Sequence, residues 1–302
     1  MVFGVLALRA SPARLHYVSA DSGLVERSLP GTPTSMLVGP AQARGRPGVV
    51  VLSGSSGRID RTRARILADA GAVAVAVGYF GGPGQPPGIC EVPLETITAA
   101  VDALADLGCS PIGLVGTSKG AEAALLIAQR HPMVGAVVAL APTSVVWANV
   151  GRGLDGSDRP LRSSWTWRGE PLAFVPYDPD WTPDRNPAAF RGLYEASLER
   201  FAETAPRAAI PVHTRPDRLV LVAGGDDQVW PSDLMASELA SRRDRTLHTD
   251  LIIHPEAGHR VILPGEAAAE GGMTMMRGGN IASDTELGQQ SWSAVLHALA
   301  LE

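Results

Sequence analysis

Ile112-Gly113-Leu114-Val115-Gly116-Thr117-Ser118-Lys119-Gly120-Ala121-Glu122 is the stretch whose reading decides the fold. Ile112 to Val115 is a short apolar run that predicts a buried strand. Lys119 to Gln129, rich in Ala and Leu, predicts a helix, and Val134 to Leu140 predicts a second strand. Strand, tight turn, helix and parallel strand make the unit from which wound sheets are built. Between the first strand and the helix, Gly116-x-Ser118-x-Gly120 leaves room only for a sharp turn, because glycine lets backbone pass where a Cβ would clash.

The same alternation extends in both directions. Upstream, Gly48 to Leu52 reads as a strand covered on both faces, since an unbroken apolar run marks a central parallel strand. Arg61 to Ala70 reads as a helix closed by Gly71, Val73 to Val77 as the next strand, Gly78 to Gly88 as a loop, and Pro93 to Leu107 as a helix opened by its proline. Downstream, Arg218 to Val222 predicts a strand, Pro231 to Ser241 a helix, Thr249 to His254 a strand, and Ser283 to Leu301 a final helix. Met1 to Leu8 reads as a first strand rather than a signal peptide, since it lacks a basic start. The sum is an α/β fold, a mostly parallel central sheet with helices on both faces.

The rhythm breaks once. Residues 141–216 carry many Pro, Arg and Asp residues together with Trp147, Trp165, Trp167 and Trp181. Two readings fit: a small side-core under long loops, or a lid over an apolar site. The expectation is one domain over residues 1–302 with this segment inserted as a lid. A second irregular stretch, Gly- and Met-rich, runs from Pro264 to Asn280 and reads as a mobile loop.

Composition excludes several function classes. Of 302 residues, 45% are hydrophobic and 19% charged, and the formal net charge is −5 without any basic run. That argues against a nucleic-acid partner and against a polybasic membrane anchor. No stretch reaches the apolar length of a membrane span. Two cysteines, Cys90 and Cys109, are too few for a disulfide scaffold and point to a reduced, cytoplasmic protein in which both are buried apolar fillers. Metal-ligand spacings such as H-x-H or H-E-x-x-H do not occur, and no cofactor is expected.

The Gly116-x-Ser118-x-Gly120 turn carries the chemistry. A nucleophile elbow presents a serine hydroxyl above the sheet at a helix N-terminus, and this context of strand before and helix after is what the motif requires. Serine needs a base, itself oriented by a third group, and the elbow fold supplies them in the order Ser, acid, His. His259 follows the last strand, at the strand ends where such sheets place their sites. His254 lies on the strand itself and reads as structural, and His131 suits the helix C-terminus. For the acid, Asp226 and Asp227 compete directly after the Arg218–Val222 strand. Oxyanion donors should be the amide of Lys119, the residue after the nucleophile, and one from Ser53-Gly54-Ser55-Ser56-Gly57, with Ser55 first and Ser56 second. That glycine-rich loop lacks the Lys-Ser/Thr ending of a phosphate-binding P-loop.

Taken together these segments resemble the catalytic domain of the acyl-CoA thioesterase and bile-acid-CoA:amino-acid N-acyltransferase family, within the α/β-hydrolase superfamily. The likeness runs from about Leu37 to the end. It rests on Ser53 to Gly57, Tyr79-Phe80-Gly81, Glu91-Val92-Pro93-Leu94-Glu95, Ser118-Lys119-Gly120-Ala121-Glu122, Asp227-Gln228-Val229-Trp230-Pro231-Ser232, Ala257-Gly258-His259, the Gly278-Gly279 pair and Trp292. The resemblance implies a triad of Ser118, Asp227 and His259 acting on an acyl-CoA thioester. Serine at the nucleophile position implies hydrolysis, because the family's amino-acid transferases carry cysteine there. Where family members commonly continue the first loop with Gly-Leu, this chain has Arg58-Ile59.

Other readings keep the same triad: transfer of the acyl group to an amine or alcohol, a thioester on an acyl carrier protein as substrate, or a carboxylesterase or dienelactone-hydrolase-like activity. A binding protein without catalysis is the alternative of another class.

Overall fold

The computed structural model of the chain describes residues 23–29, 32–268 and 271–301. The strand expected at Met1 to Leu8 lies outside them. In chain order the elements are β1 (Leu24–Leu29), β2 (Thr32–Pro40), β3 (Gly48–Leu52), α1 (Arg61–Asp69), β4 (Val73–Val77), β5 (Val92–Pro93) and α2 (Glu95–Asp106). They continue with β6 (Ile112–Thr117), α3 (Lys119–Ala128), β7 (Val134–Leu140), β8 (Trp165–Trp167), β9 (Glu170–Pro171), α4 (Arg191–Arg200), β10 (Arg218–Gly224), α5 (Ser232–Ser241), β11 (His248–His254) and α6 (Ile281–Ala298).

The central sheet has eight strands in the order β1-β2-β4-β3-β6-β7-β10-β11. From β4 to β11 every neighbouring pair is parallel, while β1–β2 and β2–β4 are antiparallel. Side chains alternate across the pleat. Val50 and Leu52 of β3 enter one core with α2, α3 and α5 residues such as Ile97, Leu125 and Leu239. Val49 and Val51 enter the opposite core with Leu67 of α1 and Leu287 and Val295 of α6. A strand buried on both faces has no polar side, which is why these runs are continuously apolar.

The sheet's register positions the site. Leu52 at the end of β3 pairs with Gly116, and Thr117 at the end of β6 pairs with Leu140 at the end of β7. Gly224 of β10 pairs with His254 of β11. The loops after β3, β6, β10 and β11 therefore leave the same edge of the sheet.

Three expectations shift. Pro93 does not open a helix. The amides of Glu91, Val92 and Leu94 donate to the carbonyls of Ser163, Ser164 and Thr166, so this stretch is an edge strand and α2 starts at Glu95. Pro93 fits such an edge because it has no N–H to leave unpaired. The last helix begins two residues earlier than expected, at Ile281, where Asn280 forms a reciprocal capping box with Ser283. Residues 141–216 are more ordered than their composition suggests: β8 and β9 join β5 in a second, three-stranded sheet, and α4 contributes Tyr194 and Leu198 to a side-core. Trp147 and Trp165 are fully buried. Trp147 sits in a side-core with Tyr194, Trp230 and Met235, whereas Trp165 joins the main core.

No helix among the described residues is long and apolar enough to cross a membrane.

Candidate active site

Ser118 stands between β6 and α3 with φ 56° and ψ −120°, a left-handed backbone that an L-residue adopts only under constraint. The constraint is visible in its hydrogen bonds. The Ser118 amide donates to Leu140 O at 2.9 Å, and its carbonyl accepts from the amides of Ala121 and Glu122 at 2.9 and 3.1 Å. A Cβ on Gly116 would strike the Gly120 carbonyl, and one on Gly120 would strike the carbonyls of Ser53 and Leu52. Both glycines of the motif are thus required by close backbone approach. Lys119 begins α3, so its amide lies among the unpaired donors of a helix start.

His259 is buried beside Asp227, with Nδ1 at 2.8 Å from Oδ2. The Asp227 carboxylate is fully buried and accepts three further hydrogen bonds: Ser232 Oγ donates to Oδ2 at 2.6 Å, and the amides of Val229 and Trp230 donate to Oδ1 at 2.8 and 3.3 Å. Asp226, by contrast, faces outward. Its Oδ2 accepts the Gly279 amide and its Oδ1 accepts Gln228 Nε2, each at 2.8 Å. Of the two competing carboxylates, the structure brings Asp227 to the histidine and gives Asp226 a loop-bracing position.

The acid and histidine loops are laced together. Asp226 N–H donates to Ala257 O at 2.9 Å, and the amides of Gln228 and His259 both donate to Arg277 O, at 3.3 and 2.9 Å. A Cβ on Gly278 would overlap the Asp226 carbonyl, and Gly278 has φ 68°. This explains the Gly278-Gly279 pair. The second half of the Pro264–Asn280 stretch, read as a mobile loop, is instead pinned against the acid loop.

Trp230 links this half of the site to the elbow. Its ring meets the His259 ring edge-on at 5.6 Å, and its indole N–H donates to Ala141 O at 3.2 Å. Ala141 directly follows Leu140, the residue that receives the Ser118 amide. Ser118 and His259 are therefore held on adjoining loops at one sheet edge. The Ser118 hydroxyl makes no hydrogen bond among the described residues, and catalytic contacts of this kind are commonly long without substrate.

The loop after β3 runs against the nucleophile. A Cβ at Gly54 would lie 3.1 Å from Ser118 Cβ and 3.5 Å from its Oγ. Ser53 Oγ donates to Arg58 O at 2.6 Å, and the Tyr79 hydroxyl donates to Ser53 O at 2.8 Å and Gly54 O at 3.2 Å. Burial, aided by the charge of Glu122, raises Tyr79 and keeps it a neutral donor. Ser55 and Ser56 occupy the exposed turn that follows.

Two ion pairs behind the site carried no assignment for their side chains in the sequence. Arg63 of α1 is bidentate to Glu266 at 2.6 and 2.8 Å, donates to Thr117 Oγ1 at 2.5 Å, and reaches Val261 O at 3.4 Å. One guanidinium thus spans the elbow and the segment after His259. Lys119 Nζ meets Glu122 Oε2 at 2.6 Å, both buried, while Glu122 Oε1 accepts the Trp165 indole N–H at 2.8 Å and the Trp147 amide at 3.1 Å. The Ser-Lys-Gly-Ala-Glu string signalled that Lys119 and Glu122 matter. Nothing in the sequence signalled Arg63.

The remaining candidates fall elsewhere. His131 contacts Asp102 at 3.1 Å and His254 lies 3.4 Å from Glu286, both away from Ser118. Cys90 and Cys109 are buried, and burial pushes both thiols up.

With this geometry in hand, known proteins provide a comparison. The family model described as BAAT / acyl-CoA thioester hydrolase C terminal matches residues 99–300. Rat acyl-coenzyme A thioesterase 1 is 25% identical over 243 residues, covering 78% of this chain and 53% of the rat protein. Mouse acyl-coenzyme A thioesterase 2, mitochondrial, is also 25% identical over 243 residues, with 49% of its length covered. The chain thus spans about half the length of these relatives. Among solved structures, a Klebsiella pneumoniae protein assigned as a dienelactone hydrolase superposes with a TM-score of 0.51 at 15% identity, covering 91% of this chain and 93% of the other. That likeness speaks to the fold alone, and the fold is the α/β-hydrolase fold.

Proposed function

Since the chain belongs to the BAAT / acyl-CoA thioester hydrolase C-terminal family, we propose that it is a serine hydrolase that cleaves acyl thioesters through an acyl-Ser118 intermediate. The observation that carries this reading is the buried 2.8 Å contact between His259 Nδ1 and Asp227 Oδ2, set on loops adjoining the left-handed Ser118 elbow.

The chemistry follows from the donors and acceptors. Asp227 accepts four hydrogen bonds, so Nδ1 of His259 donates to it and Nε2 is left as the acceptor. In that tautomer His259 takes the proton of the Ser118 hydroxyl as Oγ attacks the acyl carbonyl. The carbonyl oxygen gains charge and is met by the Lys119 amide and by an amide of the Ser53–Gly57 loop, with Ser55 as the assigned donor. The C–S bond breaks, and the imidazolium delivers its proton to the departing thiolate. Water, deprotonated by His259, then attacks the acyl-serine ester, releasing the carboxylic acid and returning the proton to Ser118.

The segment 141–216 would serve as a lid whose contents select the acyl chain. Its anchorage supports that role: Glu122, one turn into the nucleophile helix, holds both Trp147 and Trp165. The test is release of free thiol from a panel of acyl-CoAs, short, long and aromatic, by wild type and Ser118→Ala. Release that disappears in the variant supports the reading. Release that persists, or a wild type inert on every thioester, sinks it.

A further inference from the structure

The chain is acidic, yet three arginines lie on the loops that carry the site. Arg260 follows the candidate base His259 directly. Arg277 supplies the carbonyl that receives the His259 amide at 2.9 Å. Arg58 closes the loop whose Gly54 touches Ser118, and its own carbonyl is fixed by Ser53 Oγ. The guanidiniums of Arg260 and Arg277 rest on one short segment: Arg260 Nη2 donates to Gly271 O at 2.8 Å, and Arg277 Nη2 donates to Met273 O at 2.7 Å. Arg58 is exposed, and the other two are half-buried.

The three charges act on one another. Burial, then Arg277 and Arg58, hold Arg260 below its ordinary value, with Asp284 acting in the opposite direction. Burial and then Arg58 do the same to Arg277. Neither Arg58 nor Arg277 forms an ion pair among the described residues. Like charges brought together at a cost, in a chain of formal net charge −5, favour an anion between them, and guanidinium forks match phosphate oxygens two at a time.

We propose that Arg58, Arg260 and Arg277 form an anion-binding rim that takes the phosphate groups of a coenzyme A leaving group. The side of the site they occupy argues for the leaving group rather than the acyl chain. His259 must protonate the departing thiolate, so the thiol leaves over the histidine loop, where Arg260 and Arg277 sit. The proposal rests on the thioesterase reading, and its test separates the two.

The experiment compares one acyl group carried on coenzyme A and on pantetheine, which lacks the nucleotide phosphates, using wild type, Arg58→Gln and Arg58→Glu. Arg58 is exposed at the side chain, so both variants keep the fold. The expected result is a KM for acyl-CoA that rises about tenfold or more relative to the change with the pantetheine thioester, further in Arg58→Glu. The salt dependence of KM for acyl-CoA should also flatten. Binding of free coenzyme A by calorimetry should weaken in parallel. Equal coenzyme A binding and an unchanged KM ratio, with hydrolysis intact, overturn the rim and leave the function standing. Arginine-dependent coenzyme A binding without thiol release from any thioester keeps the rim and removes the function. An Arg58 effect confined to acyl chains that end in a carboxylate overturns the leaving-group assignment.

Discussion

The ammonium of Lys119 and the carboxylate of Glu122 meet at 2.6 Å with both side chains buried, one turn behind the nucleophile. Burial pulls both toward neutrality, lowering Lys119 and raising Glu122, while each partner opposes the shift of the other. The two are not equally supported. Glu122 also accepts two N–H groups from Trp147 and Trp165, whereas among the described residues Lys119 has only Glu122 and the Trp165 face at 5.8 Å.

Glu122→Ala should therefore cost about 3–5 kcal/mol of stability, the usual loss when a buried pair is broken, and Lys119→Met less. Urea unfolding of both variants checks the ranking, and a larger loss in Lys119→Met would contradict it. The pH dependence has a definite sign. With Glu122 gone, Lys119 is depressed further below its unfolded value of about 10.4, so the unfolded chain binds more protons than the folded one. Stability of Glu122→Ala relative to wild type should rise as pH increases from neutrality toward that value.

The two adjacent carboxylates should separate cleanly in kinetics. Asp227→Asn keeps the shape but cannot hold His259 in the same tautomer, and about a 10⁴-fold fall in kcat is expected. Asp226→Asn touches only the Gly279 amide and Gln228, and less than a tenfold change is expected. Thiol-release assays on the two variants decide it; the reverse order would remove Asp227 as the acid.

Ser232 positions Asp227 rather than touching substrate. Ser232→Ala deletes the 2.6 Å donor to the oxygen that also holds His259. A fall in kcat of about tenfold is expected with little change in KM. A change in KM alone would assign Ser232 to substrate binding instead.

Gly54→Ala places a methyl 3.1 Å from Ser118 Cβ and 3.2 Å from Thr117 O, distances at which neighbouring atoms must yield, and 3.5 Å from the Ser118 hydroxyl. Gly54 has no left-handed backbone to defend, so the fold should tolerate the change while kcat drops by roughly a hundredfold, as for a damaged oxyanion loop. Circular dichroism with steady-state kinetics tests this, and undiminished kcat would show that the loop stands clear of the reacting atoms.

Much of this architecture was legible in the chain itself. The continuous apolar runs of β3, β4, β6, β7 and β10 gave the central parallel strands because double-sided burial leaves no alternation to misread. Gly116 and Gly120 were readable because their close contacts admit no side chain. The hairpin β1–β2 was not resolved, since short mixed segments carry weak periodicity. Pro93 misled because the same residue suits a helix start and a strand edge, and only the long-range pairing to Ser163–Thr166 decides between them. For the site, loop order exposed Ser118 and His259; Asp226 and Asp227 are chemically alike, the Asp227-x-Val229-x-Pro231 pattern favoured Asp227, and its burial beside His259 separates the two. Arg63 was invisible for the opposite reason: a helical arginine reads as solvated unless Thr117, Val261 and Glu266 are known to surround it.

The central claim is that Ser118 is an activated nucleophile. Labelling with a fluorophosphonate, read by peptide mass spectrometry, tests it most directly. The expected adduct lies on the peptide bearing Ser118, is absent in Ser118→Ala, and forms far more slowly in His259→Ala. An unlabelled wild type that still turns over thioester, or an adduct that survives Ser118→Ala, would contradict it.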